Sequence, residues 1–380
     1  MTTTNTSNKK DDFDIDHKTK AVFTKKGYEI LAKIGSGAFG QVYRARNFKN
    51  DLDCAVKVMN LGEMSKKICE KFLPRELSAL MEVKHPYAVR VYDIIRCNHR
   101  IYIFMEFAGN GDLTSYVKKN KNLKETLACI WFTQISEAVN YLHTTIHMAH
   151  RDIKMDNILL DECFNCKLTD FGFANLIMDE TDIDDVVSET ICGTVPYYCP
   201  QLAWKKPYNP FKADVWAMGV VLYAMLHNRF PFHFKDPKKM CHEQLDYPKF
   251  IKSRFSSEIS KQSQDLMIQM FNPNDSIRIS MAQVLQHEWV VKKAENNKTT
   301  NLFILSKRFG LISIHLDTIV VVRFLFRIDC EQTRISVRLF IDTWNRFILV
   351  LISIGKMLII SANNHYGHEH HHHTDADYRN

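Results

Sequence analysis

The sequence lacks several features that would assign it to common classes of protein. Residues 1–20 are polar and charged, without the apolar run of a secretory signal. The ten cysteines therefore point to reduced thiols and a cytoplasmic protein rather than to a disulfide framework. The net charge of +7 is mild and the basic residues are scattered, so the sequence does not indicate nucleic-acid binding.

Metal and redox signals are also weak. Cys163 and Cys166 have C-x-x-C spacing, but no second pair lies at zinc-finger spacing. The pair is expected in a turn between two short strands, which disfavours both roles. Hydrophobic residues make up 46% of the 380 residues, enough for a sizeable core in one large or two modest domains.

The chain divides into four segments by composition and pattern. Residues 1–27 predict a disordered arm. Residues 28–106 are typical of strands with one helix, a small lobe, and residues 107–291 are mainly helical, a large lobe. Residues 292–380 form a separate C-terminal extension. We therefore expect an α+β domain over 28–291, built from a small β-rich lobe and a larger helical lobe.

A glycine-rich pattern, G-x-G-x-x-G-x-V, is formed by Gly35, Gly37, Gly40 and Val42. Dinucleotide-binding folds use the same glycines between a strand and a helix. Here two strand-like stretches follow, over residues 42–45 and 54–59, so the glycines are expected in a hairpin that closes over phosphates. Glycine suits that place because the backbone approaches phosphate oxygens without a Cβ in the way.

Two polar patterns lie in the large lobe. Residues 150–157 read H-R-D-x-K-x-x-N, and Asp170 begins the triplet D-F-G thirteen residues after Asn157. Either pattern alone arises by chance, but together, in this order and spacing, they are specific.

With these motifs, residues 28–291 resemble a eukaryotic protein kinase. Shorter strings resemble the testis-specific serine/threonine kinases of the calmodulin-dependent-kinase-like group; they lie at residues 71–77, 100–103, 111–113, 167–174 and 188–193. The resemblance implies the bilobal kinase fold, ATP and Mg²⁺ as cofactors, protein substrates and a role in sperm development.

The resemblance also assigns a nucleotide site. Lys57, in an apolar strand, would bind the ATP phosphates, and because a buried lysine needs a partner, Glu76 rather than Glu82 is expected to pair with it. The backbone of Glu106 and Ala108 would bind the adenine ring at a hinge. The apolar walls of the adenine site would be Ile34, Val42, Ala55, Met105 and Leu159.

The implied catalytic roles fall on the two polar patterns. Asp152 would accept or orient the proton of the substrate hydroxyl, and Lys154, which is typical of serine/threonine kinases, would contact the γ-phosphate. Asn157 and Asp170 would hold magnesium, since hard oxygen donors suit a hard cation. Thr194 would hydrogen-bond to Asp152 and Lys154.

The resemblance also implies residues that bind the substrate and residues that regulate activity. Asp112 and Asp156 match acidic positions that bind an arginine three residues before the target hydroxyl, although both also suit plain solvent-facing carboxylates. Arg151 would pair with a phosphate on Thr190, added by an upstream kinase or by the protein itself. The acidic run over 179–185 either modulates that pairing or is a solvated loop.

One position departs from the family pattern. Gln201 stands where the A-P-E triplet has its glutamate, whose partner should be Arg278. A glutamine cannot form that salt bridge, and a buried arginine without its carboxylate is costly. Two classes of function therefore remain, an active serine/threonine kinase and a pseudokinase-like scaffold, and the intact catalytic residues favour the first.

The extension over 292–380 does not resemble the kinase. Its apolar stretch over 347–360 is interrupted by Lys356 and is shorter than the ~20 residues of a spanning helix, so membrane contact is disfavoured. A packed extension, a membrane-associated segment and a poorly structured tail all stay open. The His-rich tract at 368–373 suits a solvated tail or tag better than a metal site.

Overall fold

The computed structural model describes residues 15–37, 40–63, 73–121, 123–171, 175–176 and 185–291. Side chains are not described for residues 37, 63, 73–76 and 175–176. Residues 1–14 of the predicted arm, most of the acidic run over 179–185 and the extension over 292–380 lie outside the described residues.

The small lobe is an antiparallel five-stranded sheet with strand order β1-β2-β3-β5-β4. Its elements are α1 (His17–Lys26), β1 (Tyr28–Gly37), β2 (Gly40–Asn47), β3 (Leu52–Asn60), α2 (Leu73–Glu82), β4 (Val91–Cys97) and β5 (Arg100–Glu106). The register aligns Val42 with Lys57 and Lys57 with Ile103. Because side chains alternate along a strand, the neighbouring row of Tyr43, Val56 and Phe104 faces the other side of the sheet.

The prediction of a disordered arm over 1–27 is wrong for its last part, where residues 17–26 form α1. The Asp16 carboxylate accepts hydrogen bonds from the backbone N–H groups of Lys18 and Thr19 at the helix start. Gly27, at φ +95, ends the helix. Phe23 is 2% exposed and packs edge-on against Tyr102 and Phe104. One buried aromatic on the outer face of the sheet therefore orders a segment that is mostly polar.

The large lobe is mainly helical. Its helices are α3 (Leu113–Asn120), α4 (Glu125–Thr144), α5 (Pro200–Ala203), α6 (Pro210–His227), α7 (Pro237–Leu245), α8 (Lys249–Arg254), α9 (Lys261–Met270) and α10 (Met281–Gln286), and its short strands are β6 (Met148–Ala149), β7 (Ile158–Leu160), β8 (Cys166–Leu168) and β9 (Asn175–Leu176). The strands form two small sheets, β6 with β9 and β7 with β8. The predicted α+β fold with a β-rich small lobe and a helical large lobe is confirmed.

Helix α6 forms the centre of the large lobe. Every residue from Pro210 to Leu226 is buried. A helix that is apolar on all sides is stable only inside a core. Among the described residues, no helix is both long and apolar enough to cross a membrane.

Candidate active site

The loop after β6 places Asp152 at the centre of a hydrogen-bonded cluster. Asp152 is 4% exposed. Its carboxylate accepts hydrogen bonds from Lys154 Nζ (2.7 Å), Thr194 Oγ1 (2.7 Å) and Asn157 Nδ2 (3.1 Å). Lys154 Nζ also donates to Thr194 Oγ1 (2.9 Å), so the predicted contacts of Thr194 are both present. The donors hold the carboxylate in one orientation, with a lysine charge beside it.

A second buried carboxylate, Asp214 of α6, holds the backbone of this loop. It accepts hydrogen bonds from the backbone N–H groups of His150 (2.8 Å) and Arg151 (2.8 Å). His143 Nε2 of α4 lies 2.9 Å from the same carboxylate. Arg151 adopts φ +62, a conformation that non-glycine residues rarely adopt, and these bonds stabilise it. Asp214 therefore caps these backbone N–H groups and sets the path of the chain into Asp152.

Lys57 and Asp170 form an ion pair between the two lobes. Lys57 Nζ lies 2.5 Å from Asp170 Oδ1, and the Lys57 side chain is 12% exposed. This contact supplies a buried lysine with the partner that it requires. Glu76 lies in α2, but its side chain is outside the described residues, so its pairing with Lys57 stays a prediction.

Asn157 and Asp170 supply oxygen atoms of the kind that magnesium prefers. Asn157 Nδ2 donates to both the carboxylate and the carbonyl of Asp152, which leaves Oδ1 as the ligand atom of that amide. Thr169, which precedes Asp170, donates its N–H to the Asn157 carbonyl (2.9 Å). An amide and a carboxylate from two segments are thereby brought close together. Because hard cations prefer oxygen donors, these residues fit Mg²⁺.

The glycine-rich pattern forms a hairpin, as its context predicts. Gly37 of β1 lies opposite Gly40 of β2, and the tip, residues 38–39, is outside the described residues. Gly40 has φ +145, and a Cβ there would stand 1.9 Å from the Val58 carbonyl oxygen. At Gly35 a Cβ would meet no described atom within 4 Å. Gly40 is therefore required by packing, whereas Gly35 leaves open space beside the strand.

The predicted adenine walls come from both lobes. Ala55 lies opposite Met105, on the same face of the sheet as Lys57. Ile34 is 48% exposed although it is a large apolar residue. From the large lobe, Leu159 is held near the hinge by a bridge to Asp112. Ala55 is buried, whereas Val42, Met105 and Leu159 are partly exposed, so apolar surface is available for an aromatic base.

The hinge carries one contact that sequence reasoning missed. Lys167 Nζ of β8 lies 2.5 Å from Glu106 Oε1 at the end of β5, and both side chains are largely buried. Glu106 Oε2 accepts a hydrogen bond from the Arg90 N–H, and the Glu106 N–H donates to the Arg90 carbonyl (2.8 Å). An adenine contact at Glu106 therefore falls on its carbonyl, with Ala108 as the other predicted contact. No local pattern pairs Lys167 with Glu106, because they meet only when β5 and β8 come together.

The segment from Asp185 to Gln201 runs past the catalytic loop. Gly193 has φ +94, and a Cβ there would stand 2.6 Å from the Arg151 carbonyl oxygen. Thr190 is exposed and open to modification, whereas Ser188 is buried. Asp185 is the described member of the acidic run, and it is exposed. Pairing of Arg151 with a phosphate on Thr190 stays a prediction.

The two predicted substrate carboxylates differ in their surroundings. Asp112 caps α3, where its carboxylate accepts hydrogen bonds from Ser115 N and Ser115 Oγ, both at 2.8 Å. Asp156 is exposed in a short 3₁₀ turn. Asp156 is therefore open to a basic ligand, whereas Asp112 already has a structural role.

Gln201 meets Arg278, as the sequence predicts, but by a hydrogen bond. Arg278 Nη2 lies 3.3 Å from Gln201 Oε1, and Gln201 Nε2 donates to the Pro273 carbonyl (2.7 Å). Arg278 is 1% exposed. Burial lowers the pKa of its guanidinium, because a low dielectric disfavours the charged form.

Comparisons with known proteins agree with this site. Residues 28–290 match the protein kinase domain family. The chain is 32% identical to human testis-specific serine/threonine-protein kinase 4 over 293 residues, covering 73% of this chain and 87% of the relative. It is 34% identical to mouse testis-specific serine/threonine-protein kinase 2, covering 71% and 75% of the two chains. It is 35% identical to rice CBL-interacting protein kinase 10, covering 70% of this chain and 57% of the relative. The chain belongs to the protein kinase family, within its serine/threonine class.

Proposed function

We propose that this kinase is catalytically active and transfers the γ-phosphoryl group of Mg-ATP to serine and threonine hydroxyls of proteins. The observation that carries the proposal is the cluster in which Asp152 accepts hydrogen bonds from Lys154 and Thr194. Phosphoryl transfer requires alignment and charge stabilisation more than covalent chemistry, and this cluster offers both.

In the proposed reaction, the substrate hydroxyl oxygen attacks the γ-phosphorus of ATP. The bond from that phosphorus to the bridging oxygen breaks, ADP leaves, and the hydroxyl proton passes to the Asp152 carboxylate. Lys154, 2.7 Å from that carboxylate, places a positive charge where negative charge develops on the phosphoryl oxygens. Asn157 keeps the Asp152 carboxylate directed at the hydroxyl through its own hydrogen bond.

The other charges of the site belong to ATP binding. Lys57, in β3, would bind the α- and β-phosphates once ATP competes for its contact with Asp170. Asn157 and Asp170 would hold Mg²⁺, which supplies neutralisation of the phosphate charge when bound. The glycine-rich hairpin would cover the phosphates, with the space at Gly35 facing them.

A transfer assay with radiolabelled ATP and a generic basic peptide tests the proposal. The wild-type protein should label the peptide, and Asp152→Asn should lower the rate by roughly 10²–10⁴, the usual contribution of a positioned proton acceptor. Asp161→Asn is a control, because Asp161 binds backbone groups in the β7–β8 turn. Equal rates for wild type and Asp152→Asn would contradict the assignment of the base.

The alternative function is a pseudokinase-like scaffold, which the substitution at Gln201 favours. It predicts a folded protein without transfer to any peptide. The described active-site contacts favour catalysis, since Asp152, Lys154 and Thr194 are hydrogen-bonded to one another. Absence of transfer across a broad peptide library, from protein with a cooperative thermal transition, would support the scaffold.

We propose further that substrates carry basic residues before the target hydroxyl. Asp156 supports this preference because its carboxylate is exposed beside the catalytic loop. Asp112 would contribute less, since it caps α3. A positional peptide scan should show selection for arginine three residues before the target, weakened in Asp156→Asn. A flat profile at that position would exclude this preference.

Regulation is proposed through Thr190. A phosphate there carries roughly −1.5 to −2 charge, enough to order a loop by pairing with Arg151. The exposure of Thr190 supports this choice over the buried Ser188. Thr190→Ala should lower activity several-fold relative to phosphorylated protein, with mass spectrometry to confirm that Ser188 is unmodified. Full activity of that variant would rule the mechanism out.

The cellular setting is proposed from weaker observations. Two of the relatives described above are named testis-specific, which suggests a role in sperm development. The eight described cysteines are all free thiols, in keeping with a cytoplasmic protein. Transcript levels in testis against other tissues, and fractionation of the tagged protein, test the two proposals separately.

A further inference from the structure

Tyr208, on the connection between α5 and α6, is joined to the segment that carries Thr190. It is 3% exposed. Ser188 N donates to the Tyr208 carbonyl (2.8 Å), and Tyr208 N donates to the Ser188 carbonyl (3.0 Å), an isolated antiparallel bridge. The two backbones are therefore locked together without forming a longer strand.

The Tyr208 side chain adds further contacts to the same segment. Its hydroxyl donates to the Thr190 carbonyl (2.8 Å) and lies 3.9 Å from Cys192 Sγ. Beyond Cys192, Gly193 passes close to the Arg151 carbonyl, and Thr194 binds Asp152. A continuous series of contacts thus runs from Tyr208 to the catalytic carboxylate.

The positive charge of Arg151 also acts on the Tyr208 and Cys192 side chains. Burial raises the pKa of Tyr208 to about 12, and the positive charge of Arg151 acts in the opposite direction. Burial likewise raises the pKa of the Cys192 thiol, again opposed by Arg151. Tyr208 therefore keeps its proton and stays a donor at neutral pH. Both side chains therefore lie near Arg151, the residue that is expected to pair with a phosphate on Thr190.

We propose that Tyr208 is a positioning residue that anchors residues 188–194, so that Thr194 reaches Asp152 and Lys154 without a phosphate on Thr190. The inference rests on the proposed kinase activity and deepens it. The Thr190 carbonyl is a backbone group, so the anchor persists in any side-chain variant at that position. Phosphorylation then adds a second anchor, Arg151 with the phosphate, to one that already exists.

Tyr208→Phe tests the anchor because it removes the hydroxyl and keeps the backbone bridge. Tyr223→Phe is a matched control: Tyr223 is also buried, and its hydroxyl donates to the Arg254 carbonyl (2.9 Å), in another part of the large lobe. Both changes are made in the full chain with Thr190→Ala, which prevents phosphorylation there. The parameters to measure are kcat/KM for a peptide, KM for ATP and the thermal midpoint.

We expect Tyr208→Phe to lower kcat/KM for the peptide roughly two- to tenfold, the factor that corresponds to one neutral hydrogen bond. KM for ATP should stay unchanged, since the anchor does not contact the nucleotide site. In protein phosphorylated at Thr190, the same change should have a smaller effect, because the phosphate supplies a second anchor. Equal effects of Tyr208→Phe and Tyr223→Phe on the peptide parameters would overturn the proposal.

Amide hydrogen exchange separates this inference from the proposed function. In unphosphorylated protein, the Ser188 and Tyr208 amides should be protected, and Tyr208→Phe should accelerate Ser188 exchange several-fold while Tyr223→Phe does not. The measurement needs no phosphoryl transfer. If no peptide is ever labelled, the proposed function fails, but hydrogen exchange still tests whether Tyr208 anchors residues 188–194. Unprotected Ser188 and Tyr208 amides in the unphosphorylated wild type would refute the anchor even in an active kinase.

Discussion

Two polar clusters hold the two ends of the segment from Thr194 to Gln201, and they differ in the kind of interaction that stabilises them. At the first, Thr194 contacts Asp152 and Lys154, a carboxylate and an ammonium 2.7 Å apart. At the second, Gln201 contacts Arg278, and no carboxylate among the described residues forms an ion pair with that arginine. The first cluster thus contains an ion pair, whereas in the second cluster the Arg278 guanidinium donates its hydrogen bonds to neutral groups.

The second cluster shows how a buried cation is stabilised without a direct ion pair among the described residues, although the charge of Asp275 also favours its charged form. Arg278 Nε donates to the Asn272 carbonyl (2.8 Å), and Nη1 donates to the Lys212 carbonyl (2.8 Å). Its guanidinium carbon lies 5.1 Å from the centre of the Trp216 ring. Carbonyl dipoles and the ring face offset part of the desolvation cost that a glutamate would otherwise offset. We therefore expect any loss of stability caused by Gln201 to affect the substrate-binding segment rather than the nucleotide site.

The largest expected effect tests the charge pairs of the catalytic region. Asp170→Asn should lower the transfer rate by roughly 10²–10⁴, because a carboxylate ligand of magnesium is lost. The protein should stay folded, since the amide has the same volume and its oxygen still accepts a hydrogen bond from Lys57. Asp93→Asn is the matched control, since Asp93 also pairs with a lysine, Lys26, on the surface (3.0 Å). Rate and thermal midpoint are measured together, and wild-type turnover in Asp170→Asn would show that the magnesium assignment is wrong.

The next effect tests how closely the segment must approach the catalytic loop. Gly193→Ala should reduce activity on the order of tenfold, since a backbone held in a disfavoured conformation costs about 1–3 kcal/mol and the new Cβ meets the Arg151 carbonyl oxygen. Gly111→Ala is the control, with φ +75 but no described atom within 4 Å of its Cβ. Equal losses in both variants would mean that backbone strain alone, and not the close approach, sets the effect.

A smaller effect is expected where the charge pairing extends to the hinge. Lys167→Met should raise KM for ATP several-fold with little change in kcat, because Glu106 then loses the partner that fixes the end of β5. Lys167→Arg should restore most of the affinity, since it keeps the charge. Steady-state kinetics at varied ATP give both parameters, and a fall in kcat with unchanged KM would argue against a hinge role.

The smallest effect addresses the second cluster directly. Gln201→Glu should raise the free energy of unfolding by about 1 kcal/mol, the difference between charged and neutral hydrogen bonds, and the thermal midpoint by a few degrees. The gain is limited because Gln201 Nε2 loses its bond to the Pro273 carbonyl. In an Arg278→Met background the gain should vanish. A gain that survives there would show that the carboxylate acts elsewhere.

The sequence by itself determined the features that depend on local spacing. The order His150, Asp152, Lys154, Asn157 and Asp170 predicts the family, because the first four stand within eight residues, as in a catalytic loop, and Asp170 follows Asn157 at the spacing of the D-F-G triplet. The glycine hairpin follows from two strand-like segments flanking the glycines, and the contact of Thr194 with Asp152 follows from the family motif.

Only the tertiary structure decided which distant groups meet. Phe23 orders α1 because the outer face of the sheet presents Tyr102 and Phe104, and a polar composition could not reveal that docking site. Lys167 forms an ion pair with Glu106, and Tyr208 donates a hydrogen bond to the Thr190 carbonyl. No periodic pattern in the sequence indicates a contact at these separations along the chain. Backbone carbonyls are present at every residue and leave no mark in a sequence. The partners of Arg278 and Tyr208 therefore become visible only when packing brings particular carbonyls within hydrogen-bond distance.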